Sequence, residues 1–282
     1  MRTLVFFLAA SAVLPGQSDP GEIIRRSVAI ADRGWRAQQT YKYTERDEER
    51  HLDSHGSLKS GDVDVSQIVF INGLPVEQTI GHNGGPPTSA QRRKDQAEIA
   101  KLKVETSAER TARIKKEYED RAFIREVPDA FHFQLTGEDL IDGRPAWVLE
   151  ATPIPGYRAR GKYAKMFSKV RGKLWVDKQD YGWVKVEATV TEPFSMGLFL
   201  ARIQRGSHIR FEQTRVAPGI WLPKQVEVLA SAKILFFVNY NTEEFITFSN
   251  YQPARPAELA SAGTQGQRAT PPSGKYRLGS SQ

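Results

Sequence analysis

The sequence predicts an α+β protein that is mainly antiparallel β, in which the strands form an incomplete, half-open β-barrel or a strongly curved sheet covered by helices. Three observations support this class. A helix signal starts near Asp19, a charged helix-forming stretch occupies 88–121, and alternating apolar and polar residues fill most of 131–249 between regularly spaced glycine turns. Repeated period-two runs separated by turns are typical of antiparallel sheets, so strands outnumber helices in the prediction.

The first 17 residues have the pattern of a cleavable secretory signal peptide. Arg2 gives a positive start, residues 4–14 form an almost unbroken apolar run, and Ala10, Ser11 and Ala12 provide small residues for cleavage. The run is about half of the roughly 20 residues that a membrane-spanning helix needs. A buried N-terminal helix is the alternative, but it would need polar residues on a second face. We therefore predict an exported, soluble periplasmic protein without a transmembrane segment after cleavage.

The composition excludes several kinds of chemistry and of partner. The 282 residues include no cysteine, which excludes disulfides, thiol catalysis and a lipid-carrying N-terminal cysteine. The formal net charge of +7 favours acidic partners. Because basic residues are interleaved with acidic ones, we expect anionic lipid head groups or envelope polymers and no nucleic acid.

A helix is predicted to begin at Asp19, where an N-cap acid is followed by Pro20 and by Glu22 in the first turn. An apolar stripe then recurs at helical spacing and consists of Ile24, Val28, Ala31 and Trp35. This helix should lie against an apolar surface.

Strand patterns follow the helix. Tyr41 and Tyr43 alternate with polar residues, residues 63–71 are rich in β-branched side chains, and Asn72-Gly73 predicts a hairpin turn. The later predicted strands are 131–135, 147–149, 174–176, 184–190, 207–216, 221–230, 234–240 and 244–249.

We predict a single domain over 18–251 with a charged helical insert at 88–121. Two interpretations of the insert stay open, a solvated helix or helical pair held by charge pairs four residues apart, and a mobile lid or membrane-surface helix. Residues 252–282 are rich in Pro, Ser, Gly, Ala and Arg with almost no bulky apolar side chain, which is typical of a disordered tail.

No residue pattern indicates a catalytic or metal site. The histidines are scattered, and neither His-Glu-x-x-His nor Gly-x-Ser-x-Gly occurs. Residues 156–162 have the spacing of a phosphate-binding loop, but Tyr163 stands where a magnesium-binding Ser or Thr is required. We therefore predict no enzyme, no cofactor and no metal.

The residues that stand out are apolar or basic. Candidate lining or lid residues of an acyl-binding cavity share bulky apolar side chains and are Trp147, Leu149, Trp175, Phe194, Met196, Leu198, Phe199, Leu200 and Phe236. Candidate contacts to lipid head groups or to a membrane share a positive charge and are Arg158, Arg160, Lys162 and Lys165. Ordinary core packing is the alternative for the apolar set, and a solubilising surface is the alternative for the basic set.

Two neighbouring segments resemble a known family. Gly172-Lys-Leu-Trp-Val-Asp177 is followed by a turn and by Tyr181-Gly-Trp-Val-Lys-Val-Glu187. Together with a Trp at the end of the first helix, a Tyr-x-Tyr strand, and the order helix, strands, helical insert and strands, these segments resemble the LolA/LolB-like superfamily of outer-membrane lipoprotein-sorting proteins. The resemblance implies an incomplete antiparallel barrel closed by helices, whose apolar cavity holds acyl chains. The insert and the tail depart from a minimal carrier, and the carriers' lid arginine cannot be placed on any one residue here.

The resemblance implies two possible functions. The first is a soluble carrier or binder of lipid or lipoprotein acyl chains, without covalent chemistry. An acyl chain of about 16 carbons needs more than about 10 kcal/mol of apolar shelter, at roughly 0.8 kcal/mol for each buried methylene. The second is a periplasmic regulatory or structural module that binds an envelope protein, as in envelope-stress sensing.

Overall fold

The computed structural model describes residues 19–161, 163–196, 201–234 and 238–260. Within these ranges, the helices are α1 (Pro20–Gln38), α2 (Ser89–Lys103), α3 (Ser107–Arg121), α4 (Val127–Ala130) and α5 (Pro256–Leu259), and 3₁₀ segments lie at Ala122–Glu126 and Tyr163–Lys169. The strands are β1 (Tyr41–Leu52), β2 (Leu58–Ile71), β3 (Leu74–His82), β4 (Phe131–Ile141), β5 (Arg144–Pro153), β6 (Val170–Asp177), β7 (Trp183–Val190), β8 (Phe194–Met196), β9 (Ala201–Ile203), β10 (His208–Ala217), β11 (Ile220–Ile234) and β12 (Val238–Pro253). No helix among the described residues is both long and apolar enough to cross a bilayer.

These strands form one antiparallel sheet, which confirms the predicted class. The order is β3-β2-β1-β12-β11-β10-β7-β6-β5-β4, with β9 paired to β11 and β8 paired to β9. The sheet is unclosed, because β3 and β4 lie at its two ends and do not pair with each other. Helix α1 contacts β11, β7 and β4, so it crosses one half of the sheet.

Helix α1 begins where the sequence predicts. The Asp19 carboxylate accepts hydrogen bonds from the backbone N–H groups of Gly21 at 3.0 Å and Glu22 at 3.2 Å, so it caps the first turn. The fully buried members of the predicted apolar stripe are Ile24, Val28 and Ala31.

Two contacts fix α1 on the sheet. The indole Nε1 of Trp183 donates a hydrogen bond to Ser27 Oγ at 2.8 Å, and both side chains are buried. At Gly34, a Cβ atom would lie 2.3 Å from the carbonyl oxygen of Trp221, so glycine is required for the helix to approach β11 this closely. The end of α1 is thereby held at a defined place on the sheet.

The main hydrophobic core lies between α1, the 3₁₀ segments and strands β4 to β7. Successive strand residues face opposite sides of a sheet, so Trp147 and Leu149 share one face and Val148 takes the other. Trp175 is paired with Val148 and lies on that second face.

Tight turns connect neighbouring strands as the sequence predicts. Asn72 and Gly73 both have positive φ values, 51° and 76°, and join β2 to β3. Asp142 and Gly143 repeat this geometry between β4 and β5, with φ values of 49° and 76°. Such two-residue turns match the twist of a hairpin and favour Asn-Gly and Asp-Gly pairs.

The structure corrects the predicted strand 234–240. Ile234 is the last residue of β11 and pairs with Val238, the first residue of β12, so the two residues belong to different strands. Strand β12 runs through the predicted gap at 241–243, and residues 235–237 lie outside the described part of the chain. Within a continuous apolar run, periodicity does not show where one strand ends and the next begins, which explains the error. In the apolar segment 193–201, which we predicted as a connection, residues 194–196 form β8 and Ala201 begins its partner strand β9. Residues 197–200 lie outside the described part of the chain.

The charged stretch at 88–121 forms two helices, α2 and α3. Each begins with a capping box, from Thr88 with Gln91 and from Thr106 with Glu109. Helix α2 contacts β2 and β3. A role of this pair as a lid stays a prediction.

The described chain continues past residue 251, where we predicted the tail to begin. Strand β12 ends at Pro253, and α5 follows. Two contacts hold this segment next to the start of β1: Ala254 N donates to the carbonyl oxygen of Thr40 at 2.8 Å, and Glu258 forms a 3.0 Å ion pair with Lys42. Residues 261–282 of the predicted tail lie outside the described part of the chain.

Candidate functional site

An open cleft of about 620 Å³ lies where α1, α3, the β2–β3 hairpin and the 3₁₀ segments meet. Its lining residues are Trp35, Gln39, Leu74, Pro75, Arg113, Glu117, Asp120, Arg121, Phe123, Tyr163 and Met166. The volume falls in the range of about 300 to 1,000 Å³ that is usual for small-molecule sites. We therefore regard this cleft as the candidate site.

A ring contact holds the α1 wall of the cleft in place, and a hydrogen bond holds the β2–β3 hairpin wall. Trp35, in the last turn of α1, packs edge-on against Tyr118 of α3 with ring centres 4.6 Å apart. On the hairpin side, the Asn72 amide donates to the carbonyl oxygen of Leu102 at 2.9 Å, which ties the turn before Leu74 to the end of α2. The turn residue Asn72 thus sets the hairpin geometry and also fixes the position of the hairpin beside the cleft.

Helix α3 is held by an ion pair at the α2–α3 connection. Arg113 donates to Glu105 through Nε and Nη2, both at 2.9 Å, and this pairing raises the pKa of Arg113. Arg113 also contacts Glu117 at 3.4 Å. Two of the charged residues in the cleft wall therefore neutralise each other.

The floor of the cleft is aromatic. Phe123 stacks near Tyr163 and Phe167 with ring centres 6.1 Å away in each case. Phe167 is buried in the main core, so the cleft floor continues directly into the packed interior.

A buried carboxylate fixes the loop that precedes Tyr163. Glu126 is only 5% exposed and accepts hydrogen bonds from the Tyr157 hydroxyl at 2.6 Å, Arg160 N at 2.8 Å and Gly161 N at 2.7 Å. Burial opposes ionisation of Glu126, but these hydrogen bonds outweigh it and lower its pKa.

Arg121 is the unusual residue of the cleft. Its guanidinium carbon lies 5.6 Å from the ring centre of Trp35, and its Nε is buried without a hydrogen-bond partner among the described residues. Burial lowers the pKa of Arg121, and the negative charge of Asp32 offsets this only in part. Asp32 itself is paired with Arg36 at 2.9 Å and with Arg125 at 3.0 Å. A desolvated cation in a cleft is a recurrent mark of a binding site.

A second, smaller cavity of about 140 Å³ lies between α2 and the sheet and is lined mainly by carboxylates. Helix α2 rests on it through Asp95, which accepts from Thr79 N at 2.9 Å, and through Gln91, which donates to Asp64 at 2.7 Å. Burial and the neighbouring acids raise the pKa of Glu45 to about 7 and that of Asp47 to about 6. No group of His, Cys, Asp or Glu within the described ranges has the arrangement of a metal site.

The described apolar candidates lie away from the cleft. Trp147 and Leu149 are 9% and 0% exposed and pack within the main core against α1. Trp175, on the other face, donates from Nε1 to Asp139 at 3.0 Å and lies under Lys173 and Lys185, whose Nζ atoms are 5.3 and 4.3 Å from its ring centre. Their predicted roles in ligand binding stay predictions.

Of the other apolar candidates, two lie in the described chain. Phe194 in β8 is half-buried and pairs with Ile203 of β9. Met196 lies in β8, at a position whose side chain is not described. Leu198, Phe199, Leu200 and Phe236 lie outside the described residues. Strand β9 lies between β8 and β11, because Ala201 of β9 pairs with Met196 of β8 and with Ile234 of β11.

Three of the four basic candidates, Arg158, Arg160 and Lys165, lie in the described chain, and all three are exposed. Arg160 is paired with Asp129 at 2.9 Å. Lys162 lies outside the described residues. Along β6, Lys173 stands between Glu150 of β5 and Glu187 of β7, so acids separate the bases. The head-group role of these residues stays a prediction.

Sequence reasoning missed the residues that line the cleft. Trp35 was expected only as the last member of an apolar stripe, yet it is half-buried and faces the cleft. Arg121 ends a stretch of 15 residues dense in charge, where nothing in the sequence distinguishes a half-buried arginine from its exposed neighbours. Their proximity depends on how α3 packs against α1.

No family model matches the sequence, and no curated protein matches it. Among solved structures, the chain is similar to a domain described as an outer membrane lipoprotein-sorting protein domain from Vibrio parahaemolyticus, at 12% identity over 82% of this chain and 93% of that one, with a TM-score of 0.34. It is also similar to a LolA superfamily protein from Nitrosomonas europaea, at 12% identity over 86% of this chain and 97% of that one, with a TM-score of 0.32.

A complex of MucA and MucB from Pseudomonas aeruginosa gives a looser match, at 12% identity over 81% of this chain and 99% of that one, with a TM-score of 0.24. Structures of the superfamily that the sequence resembles are thus among the matches. Because every TM-score here is below 0.5, these superpositions are too loose to carry a functional argument to this chain.

Proposed function

We propose that this protein is exported to the periplasm and binds amphiphiles, lipid or lipoprotein acyl chains, in the cleft between α1, α3 and the β2–β3 hairpin. The observation that carries the proposal is the open cleft of about 620 Å³. Six of its lining side chains are apolar or aromatic, namely Trp35, Leu74, Pro75, Phe123, Tyr163 and Met166. Binding of this kind requires no covalent chemistry.

Two properties of the cleft, its apolar lining and its openness, support a carrier role. Each methylene that leaves water contributes roughly 0.8 kcal/mol, so partial burial of an acyl chain gives useful affinity. Because the cleft is open to solvent, a bound chain can leave without the protein unfolding. Reversible binding is what a carrier needs.

Export is proposed from residues 1–17, which lie outside the described part of the chain. Their positive start, apolar run and small residues support a signal peptide. Amino-terminal sequencing of protein recovered from a periplasmic extract tests this proposal, and a chain that still begins at Met1 contradicts it.

A pair of matched substitutions tests the site. Leu74→Asp places a charge in the cleft wall, whereas Leu140→Asp changes a leucine that is 68% exposed on the edge strand β4 and does not line the cleft. Calorimetric titration with decan-1-ol should show binding that Leu74→Asp weakens by at least about tenfold and that Leu140→Asp leaves unchanged. Absence of decan-1-ol binding to the unmodified chain, together with no co-purified acyl compound in native mass spectrometry, contradicts the proposal.

One observation favours the alternative, a module that binds an envelope protein. Strand β4 lies at the end of the sheet and pairs with β5 alone among the described strands, so its outer edge offers backbone groups to a partner strand. If decan-1-ol does not bind and a partner protein protects the β4 amides from hydrogen exchange, this alternative replaces the acyl carrier.

A further inference from the structure

We infer that the cleft recognises an anionic head group, a carboxylate or a phosphate, through the guanidinium of Arg121. This inference rests on the proposed function, because it names the chemical class of the amphiphile that the cleft binds. An acyl chain would lie against the aromatic floor around Phe123, and its charged end would meet Arg121 at the wall.

The first support is the missing partner of Arg121. Within the described residues, its buried Nε has no hydrogen bond, and no carboxylate lies within ion-pair distance of its guanidinium. A partly desolvated charge without an opposite charge beside it is costly, and such groups are normally paired. An anion bound in the cleft would supply that opposite charge through the Nη side of the guanidinium.

The second support is the contrast with Arg113, which also lines the cleft. Arg113 is already bonded to Glu105 and Glu117. The two nearby cations Arg36 and Arg125 share Asp32. Of the two arginines in the cleft wall, Arg121 is therefore the one whose guanidinium is available to bind an anion.

The third support is the setting of the guanidinium. Trp35 lies beside it at 5.6 Å, a distance at which an aromatic face attracts and orients a cation. A planar, oriented guanidinium can bind a carboxylate or phosphate with two parallel hydrogen bonds.

One group in the cleft opposes an anion. Asp120 lines the same cavity next to Arg121 in sequence. Its negative charge repels a ligand carboxylate, so neutralising it should strengthen binding of an anion more than binding of a neutral alcohol. This gives a test that does not alter Arg121.

The experiment compares ligands that share one chain. Calorimetric titration of the full chain uses decanoate, decyl phosphate, decan-1-ol and inorganic phosphate. The variants are Arg121→Met, which keeps an aliphatic stem, Asp120→Asn, and Lys115→Met as a control on an exposed face of the same helix. Circular dichroism of each variant checks that it is folded.

The inference predicts that decanoate or decyl phosphate binds at least about tenfold more tightly than decan-1-ol. The tighter of the two identifies the head group. Arg121→Met should remove this preference, Asp120→Asn should increase it, and Lys115→Met should leave it unchanged. If Arg121→Met does not fold, the test rests on Asp120→Asn: a stronger preference for the anionic ligand supports the inference, and an unchanged preference contradicts it.

Three results would overturn the inference. Equal affinity for the anionic ligands and decan-1-ol removes the head-group preference and leaves the proposed function standing. Inorganic phosphate that binds as tightly as decyl phosphate shows an anion site without an acyl site. If none of the decyl ligands binds, the proposed function itself is wrong.

Discussion

The guanidinium carbon of Arg121, the last residue of α3, lies 5.6 Å from the ring centre of Trp35 in the last turn of α1. This contact joins the charged helical insert to the first helix and forms part of the cleft wall. Because the Arg121 Nε gains no hydrogen bond there among the described residues, the contact places a cation in the cleft without neutralising it.

Replacement of Arg121 by methionine should stabilise the protein. The change removes a buried donor without a partner and keeps most of the packing against Trp35, so we expect the free energy of unfolding in urea to rise by about 1 kcal/mol. Lys115→Met, at a side chain that is 74% exposed on the same helix, should change it by less than about 0.5 kcal/mol. A clear loss of stability in Arg121→Met would show that the arginine serves the fold and not a ligand.

Gly34→Ala should destabilise the protein strongly. The new Cβ would meet the Trp221 carbonyl oxygen at 2.3 Å and push α1 away from β11. We expect a loss of about 2 kcal/mol, larger than the roughly 1 kcal/mol that alanine gains over glycine in a helix. Gly137→Ala, where a Cβ meets nothing within 4 Å, is the matched control and should leave the melting temperature almost unchanged. Equal melting temperatures for both variants would mean that α1 packs less closely than described.

Stability should fall as the pH rises. The pKa of Glu45 is raised to about 7 by burial and then by Glu77, Asp47 and Glu244, and that of Asp47 is raised to about 6 by burial and then by Glu244, Glu49, Asp64 and Glu77. In the unfolded chain both carboxyls ionise near their ordinary pKa values. At pH values between the ordinary and the raised pKa of each carboxyl, the folded state therefore binds more protons than the unfolded state. The stabilisation is present at low pH and is lost as the pH passes through about 6 to 7.

The Glu45→Gln variant tests this pH dependence. Between pH 5 and pH 8, the free energy of unfolding in urea should fall by on the order of 1 kcal/mol more in the unmodified chain than in this variant. This figure already allows for solvent screening of these half-exposed groups. Glu48→Gln, at a neighbouring carboxylate whose pKa is lowered by hydrogen bonds from Arg46 and Arg50, should keep the fall with rising pH. An identical pH profile for Glu45→Gln and the unmodified chain would contradict the raised pKa.

Glu126→Gln should loosen the loop that precedes Tyr163. A glutamine amide cannot accept all the hydrogen bonds that come from Tyr157, Arg160 N and Gly161 N, so we expect a loss of about 2 kcal/mol. Amides of residues 157–161 should exchange faster in deuterated solvent. Asp129→Asn, at a nearby carboxylate that is 60% exposed, is the control and should change neither measurement. Unchanged exchange in Glu126→Gln would mean that other contacts hold the loop.

Local signals in the sequence predicted much of the fold. The cap at Asp19, the Asn72-Gly73 turn and the period-two runs after residue 131 each depend on neighbouring residues, and each appears in the structure. Strand β1 was harder to predict, because its second half is dense in acidic and basic residues and has almost no apolar ones. There Glu48 is bonded to Arg46 at 2.9 Å and to Arg50 on the same strand, a pairing that apolar periodicity does not reveal.

The site was not predictable in the same way. Alternation assigned Trp147 and Leu149 to one face of a strand but could not tell whether a ligand or a helix covers that face, and α1 covers it. The cleft combines Trp35, Leu74, Arg121 and Met166 from four elements that are distant in sequence. Only the packing of the helical insert brings them together.

Photolabelling with a decanoate that carries a diazirine near the end of its chain tests the central claim most directly. Crosslinked protein is digested and the modified peptides are identified by mass spectrometry. The account predicts labels on the peptides that contain Trp35, Phe123 or Met166, with loss of these labels when decan-1-ol competes. Labels concentrated elsewhere, for example around Phe194 or on the edge strand β4, would contradict the assignment of the acyl site to this cleft.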